Sequence, residues 1–238
     1  MNCRALLTGL LTGAIIVAAG PATAAPDLPD PADVPPRTAI AVRSALPWMR
    51  WDTANDHEPH SALSMVKLYL VDYALRHGDG SSEDLRLGEQ MIRKSDDAAA
   101  SQLDAKYPTA IDAVAAEYHL TATRRNGSWE SSLTSTADLA DFLDTKLRTD
   151  PDSRLLTWMA EADPVAADGT VQDWGTAKLP GVLGTKWGWS DFGPPEVASA
   201  SYGSGFTIAA HTYGTGEEQT ADVLGVLRQV VLSALGAH

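Results

Sequence analysis

Apolar side chains occupy nearly every face from Met65 to Leu75, the pattern of a helix buried all round, and Gly78 is placed to end it. Ser64 then stands at the start of that helix. Glu83 to Lys94, Asp96 to Lys106 and Ala110 to His119 read as shorter helices, and Ser135 with Asp138 forms a capping signature that opens a helix over Ala137 to Leu147. After Pro180 the pattern changes to β. Val182 to Trp189, Val197 to Tyr202 and Phe206 to Tyr213 are separated by loops rich in glycine and proline, which predicts an antiparallel meander. Glu217 to Leu235 returns to helical spacing, with Val223, Leu227, Val230, Val231 and Ala234 on one apolar face that can pack on the sheet. Thr38 to Arg43 reads as a short strand. Ala45 to His60 mixes tryptophan, charge and proline without a period and takes no assignment.

The N-terminus has a different pattern. Met1 to Arg4 carry positive charge, Ala5 to Gly20 are apolar but short for a membrane span, and Ala22-Thr23-Ala24 supplies the small residues that a signal peptidase needs. Residues 1–24 are therefore assigned as a signal peptide, with an uncleaved anchor as the alternative that hydropathy alone leaves open. An exported protein, secreted or held in the cell envelope, is the expectation. Cys3, the only cysteine, departs with that segment, so the mature chain has neither thiol nor disulfide. It also lies too early to follow a lipoprotein-type cleavage site. Residues 25–36 alternate proline, aspartate and small side chains, the composition of a linker. Residues 37–238 remain as one catalytic unit, with a helical lobe at about 64–160.

Formal net charge is −13 and the basic residues form no run or stripe. That excludes the electrostatic footprint of a nucleic-acid-binding protein or of one drawn to an anionic membrane.

A serine hydroxyl is a weak nucleophile until a base takes its proton, and Ser64-Met65-Val66-Lys67 puts an amine one helical turn away on the same face. Alone the spacing carries little, because a helix-capping serine beside a surface lysine gives the same string. Two further motifs follow in order: Ser95-Asp96-Asp97 after a predicted helix, and Lys186-Trp187-Gly188 inside the first strand of the meander. With these the chain resembles the penicillin-binding proteins and serine β-lactamases, the class A enzymes included, whose pattern is Ser-x-x-Lys, Ser-x-Asn and a Lys-Thr-Gly on a sheet strand. The resemblance spans about residues 37–238.

The resemblance implies an α/β fold: a mostly antiparallel sheet flanked by helices, with an inserted helical lobe and the site between the two. It makes Ser64 the acylated nucleophile, Lys67 its base, Ser95 a proton relay to the leaving group and Lys186 the partner of a substrate carboxylate. The backbone N–H groups of Ser64 and Trp189 would form an oxyanion hole, with Asp97, Trp187 and Gly188 also at the substrate. For Ser95, capping of the following helix is an equal alternative. Trp129-Glu130 falls where class A enzymes carry the glutamate that activates the deacylating water. Only Ser131 to Thr134 separate it from the next helix, so a solvated loop glutamate is the competing reading.

Two motif positions depart from the pattern. An ionised Asp97 in place of asparagine cannot donate a hydrogen bond, and Trp187 replaces a threonine hydroxyl with a large ring. The interval from Ser64 to Ser95 is short, which implies a trimmed helical lobe. No Gly-x-Ser-x-Gly elbow, phosphate loop or His-Glu-x-x-His zinc helix is present. His57-Glu58-Pro59-His60 reads as loop histidines, and Trp48, Trp51, Trp187 and Trp189 as packing residues. The expectation is a monomeric β-lactamase-like serine hydrolase with no cofactor and no metal, acting on a β-lactam or a peptidoglycan-derived D-alanyl peptide. Its alternative is a catalytically silent member of the same fold that binds a cell-wall ligand or a protein.

Overall fold

The computed structural model describes residues 28–44 and 50–235, with side chains to Arg228. The assigned signal peptide, the start of the linker, Trp48 and the side chains of Val230, Val231 and Ala234 lie outside the described residues. In chain order the elements are β1 (Thr38–Ser44), β2 (Trp51–Asp52), β3 (His60–Ser61), α1 (Val66–His77), α2 (Ser82–Arg93), α3 (Asp97–Lys106) and α4 (Ala110–Glu117). There follow β4 (Arg124–Asn126), β5 (Ser128–Thr134), α5 (Thr136–Thr149), α6 (Arg154–Ala160), β6 (Val182–Trp189), β7 (Val197–Gly203), β8 (Phe206–Thr212) and α7 (Gly216–Leu235). The main sheet is antiparallel throughout in the order β2-β1-β8-β7-β6, and a small second sheet runs β3-β5-β4.

Both faces of the main sheet are covered, and strand alternation decides which residues meet which layer. Ile40, Val42, Ile208 and Ala210 face Val223 and Leu227 of α7. Ala41, Ala198, Ala200 and Ala209 face the helical lobe, where Val66 to Val71 of α1 are all fully buried. Small side chains on that face let helices lie close to the strands. The lobe-facing core explains why α1 reads as apolar all round: it packs on α2, α3, α4 and α6 and on β5.

Local chemistry sets the helix ends. Ser135 Oγ accepts from Asp138 N (3.1 Å) at the start of α5, as the capping signature predicts. α1 stops at Gly78, whose N–H bonds Ala74 O; a Cβ there would stand 2.3 Å from that same carbonyl oxygen. Between α1 and α5 the fully buried Lys146 Nζ meets Asp72 Oδ1 at 2.6 Å, and Arg76 reaches the second oxygen of Asp72 at 2.8 Å.

Three features differ from the sequence expectation. Residues 28–36, assigned to the linker, lie against the domain: Trp51 Nε1 donates to Pro29 O (2.8 Å), and Val34 is buried beside α7. Tertiary contact orders a segment whose composition could not order itself. The β4–β5 hairpin and α6 have no counterpart in the predicted elements. His60, expected in a loop, is a buried residue of β3. Among the described residues no helix is long and apolar enough to cross a membrane.

Candidate active site

Ser64 lies in a 3-10 turn, Leu63–Met65, that leads straight into α1. One helical turn on, Lys67 Nζ stands 2.8 Å from Ser64 Oγ. The Lys67 side chain is fully buried, and its amine also meets Ser95 O (2.7 Å), Ser95 Oγ (3.3 Å) and the Asp97 carboxylate. Burial pushes the Lys67 amine below its ordinary pKa, while Asp97 above all, with Asp96 and Asp168, pulls the other way. An amine so placed can accept the serine proton, and the carboxylate beside it resists that loss of charge.

Ser95 does not cap α3. Asp96 does, its Oδ1 accepting from Ala99 N at 2.9 Å, which removes the capping alternative for Ser95. Ser95 instead sits at φ 54°, in the left-handed region, with its hydroxyl turned between two amines. Lys186 Nζ lies 2.8 Å from Ser95 Oγ and donates to Trp187 O at 2.8 Å. Lys186 is fully buried, and burial first, then the charge of Lys67, holds its amine well below the ordinary lysine range. Leu63, next to Ser64, also has a left-handed backbone (φ 49°). Such conformations cost a non-glycine residue about 1 kcal/mol each, and here they fall at Ser95 and at the residue before Ser64.

β6 is one of the two outer strands of the main sheet. Its approach to Ser64 depends on Gly188, where a Cβ would stand 2.8 Å from Ser64 N and 3.0 Å from the Leu63 side chain. The antiparallel ladder alternates, and Ser190 N–H donates to Glu196 O (2.9 Å), so the N–H of Trp189 faces the open edge instead of β7. Trp187 points elsewhere. Its indole is buried, donates to Trp174 O (3.0 Å) and packs edge-on against Trp174, so it takes no part in lining the cleft.

Above Ser64 opens a cleft of about 370 Å³ between the helical lobe and β6. Asp97, Trp129, Glu130 and Trp189 line it, as do Asp191, Phe192 and Glu196 from the loop between β6 and β7. Glu130 is on strand β5, not in a loop as expected, and is exposed at the cleft wall. The Asn126-Gly127 pair, with Gly127 at φ 79°, was the available signal for the hairpin that carries it there. Trp189, read as packing, is a cleft residue whose Nε1 donates to Asp168 Oδ2 (3.1 Å).

Glu196 was not foreseen, and its position depends on a contact invisible in sequence. Its Oε1 lies 2.7 Å from His211 Nε2, and the His211 ring stacks on His60 with centroids 3.6 Å apart. Burial, then the neighbouring His211, pushes the His60 imidazole down to about 3. Among the described residues no group of three or more His, Cys, Asp or Glu side chains is arranged to hold a metal.

No protein-family model matches the chain, and no curated protein matches it. Solved structures do. A double mutant of the class A β-lactamase of the last common ancestor of Gram-negative bacteria, bound to a transition-state analogue, is 21% identical with a TM-score of 0.62, covering 84% of this chain and 93% of its own. Penicillin-binding protein D2 from Listeria monocytogenes, in its cefotaxime-bound form, is 17% identical with a TM-score of 0.56, covering 83% and 96%. The D-alanyl-D-alanine carboxypeptidase of Mycobacterium tuberculosis is 15% identical with a TM-score of 0.57, covering 92% and 95%. The chain therefore has the mixed α/β fold shared by penicillin-binding proteins and class A β-lactamases.

Proposed function

We propose that this protein is an exported serine hydrolase that acts by acyl transfer through Ser64, with β-lactams and D-alanyl peptides as the first substrate class to test. The observation that carries the reading is one continuous arrangement: Ser64 Oγ, Lys67 Nζ, Ser95 Oγ and Lys186 Nζ in hydrogen-bond succession. Ser64 Oγ attacks the substrate carbonyl carbon as its proton passes to Lys67, and the carbonyl π bond opens to an oxyanion. The Ser64 and Trp189 amides are the donors for that oxyanion. Collapse breaks the bond to the leaving group, which takes a proton relayed by Ser95 from the lysines. Water then cleaves the Ser64 ester and restores the hydroxyl. Export rests on the signal-peptide pattern at residues 1–24.

A second reading has one observation in its favour. The Asp97 carboxylate on Lys67 opposes the loss of charge that burial favours, an opposition that a silent ligand-binding relative could tolerate and an acyl transferase has to overcome. Intact-protein mass after incubation with a β-lactam, and separately with a fluorophosphonate, decides between them. The expected result is one adduct, mapped to Ser64 and absent in Ser64→Ala. No adduct from either reagent, or one that survives in Ser64→Ala, refutes the acyl-transfer reading.

A further inference from the structure

Among the described residues, four carboxylates, those of Asp97, Glu130, Asp191 and Glu196, stand on the wall of the cleft, and no lysine, arginine or histidine lines it. The two amines of the site lie beneath that surface. Lys67 and Lys186 are both fully buried, the first against Asp97 and Ser95, the second against Ser95 Oγ and the Trp187 carbonyl. Even with both amines protonated, negative charge is in excess. A carboxylate entering here would find no exposed cation and no hydroxyl at position 187, because that side chain is an indole turned onto Trp174.

Glu196 differs from an ordinary surface glutamate. Its carboxylate is held at 2.7 Å by His211, which is itself fixed between the stacked His60 ring and an edge-on Tyr213. Its side chain is only 19% exposed, so its charge is presented to the cleft from a rigid, partly desolvated position. Trp189 adds aromatic surface on the same wall, which also suits a cation, while the Trp129 ring already takes the Lys67 amine at 5.0 Å.

Resting on the reading of this cleft as the place where an acyl compound binds, we infer that its substrates are esters or amides that carry an ammonium or guanidinium group, with Glu196 and Glu130 as the specificity-determining residues. A free carboxylate, as on β-lactams and D-alanyl peptides, then weakens binding without abolishing acylation, and an added cation strengthens it. Long-range attraction within a cleft of one charge sign raises the encounter rate, to which the exposed Glu130 contributes, and the held carboxylate of Glu196 then keeps the cation in place.

The test compares the p-nitrophenyl esters of aminohexanoic, hexanoic and adipic acids, which are alike in length and end in ammonium, methyl and carboxylate. The expected order of kcat/KM is ammonium, methyl, carboxylate, with about a tenfold or larger gap between the extremes that narrows as ionic strength rises. In Glu196→Gln, and again in Glu130→Gln, the gap closes by severalfold. A carboxylate ester hydrolysed as fast as the ammonium ester, or a gap unchanged in both variants, overturns the inference. Binding to Ser64→Ala separates this outcome from failure of the acyl-transfer reading. N-acetyl-lysine amide is expected to shift cleft amide resonances in a Glu196-dependent way while N-acetyl-glutamate amide does not, even if no reagent acylates Ser64. Equal shifts from both ligands, or none from either, count against the inference.

Discussion

Replacing Asp97 by asparagine removes one charge from the site and leaves the other neighbours of Ser64 and Lys67 in place. Lys67 keeps Ser64 Oγ at 2.8 Å and Ser95 O at 2.7 Å, so the amine does not lose its position. Asp97 is 58% exposed on its side chain, so its attraction for the buried ammonium is screened by solvent and belongs at the upper end of exposed ion pairs, about 1 kcal/mol. Removing that preference for the charged amine raises the neutral fraction at fixed pH by about fivefold. The sign follows from the roles: Asp97 favours the protonated lysine, only the unprotonated lysine can take the serine proton, and Asp97→Asn therefore speeds acylation near neutrality. Its rate also reaches a plateau at lower pH than the parent's. The assay is the second-order rate of Ser64 acylation by a chromogenic β-lactam or a fluorophosphonate, followed from about pH 6 to 9. Asp97→Ala separates charge from hydrogen bonding, since it removes the carboxylate without adding an amide donor. If both variants acylate at the parent rate or more slowly across that range, the charge coupling between Asp97 and Lys67 is wrong.

Lys186→Met is expected to stabilise the fold by about 1–2 kcal/mol at neutral pH and to slow acylation by about 100-fold or more, as a buried amine is exchanged for an apolar chain. Because burial lowers the pKa of Lys186 in the folded state, the stability gain shrinks as pH rises toward lysine's ordinary value; denaturant titrations that show a constant gain, or a loss at neutral pH, oppose this account. Asp72→Ala strands the fully buried Lys146 and should cost about 3–5 kcal/mol in urea unfolding, and a loss below about 1 kcal/mol would mean that water or Asp150 compensates. Glu130 is exposed on β5, too loosely placed to fix a single water, so the acyl-enzyme should be long-lived and Glu130→Gln should change its lifetime by less than about tenfold. Rapid deacylation that falls by orders of magnitude in that variant would make Glu130 the base for water.

What the sequence determined by itself is what short-range rules control. Ser64 and Lys67 are three residues apart, so once Met65 to Leu75 is helical the helix geometry brings their side chains together. The start of α5 follows from Ser135, the meander from the spacing of its glycine- and proline-rich loops, and the bounds of β6 agree with the predicted run from Val182 to Trp189. Signals for two missed elements were also local: Asn126-Gly127 for the hairpin, and Leu155, Leu156, Trp158 and Met159 for one buried face of α6.

Tertiary structure alone decided the rest, because the decisive contacts join residues far apart in the chain. Ser95 meets Lys186 across 91 positions, a contact that no local pattern announces, while the cap of α3 falls to Asp96. The roles of the tryptophans were equally hidden: Trp187 and Trp189 share one face of β6 and both pack on Trp174, but only the Trp187 indole is drawn in by the Trp174 carbonyl, while Trp189 lines the cleft. Glu196 reads as an unremarkable loop acid until β7 and β8 pair and bring His211 beside it. A hydrophobic period reports which face of an element is buried. Which charge is buried, and against what partner, depends on chain segments that the period does not connect.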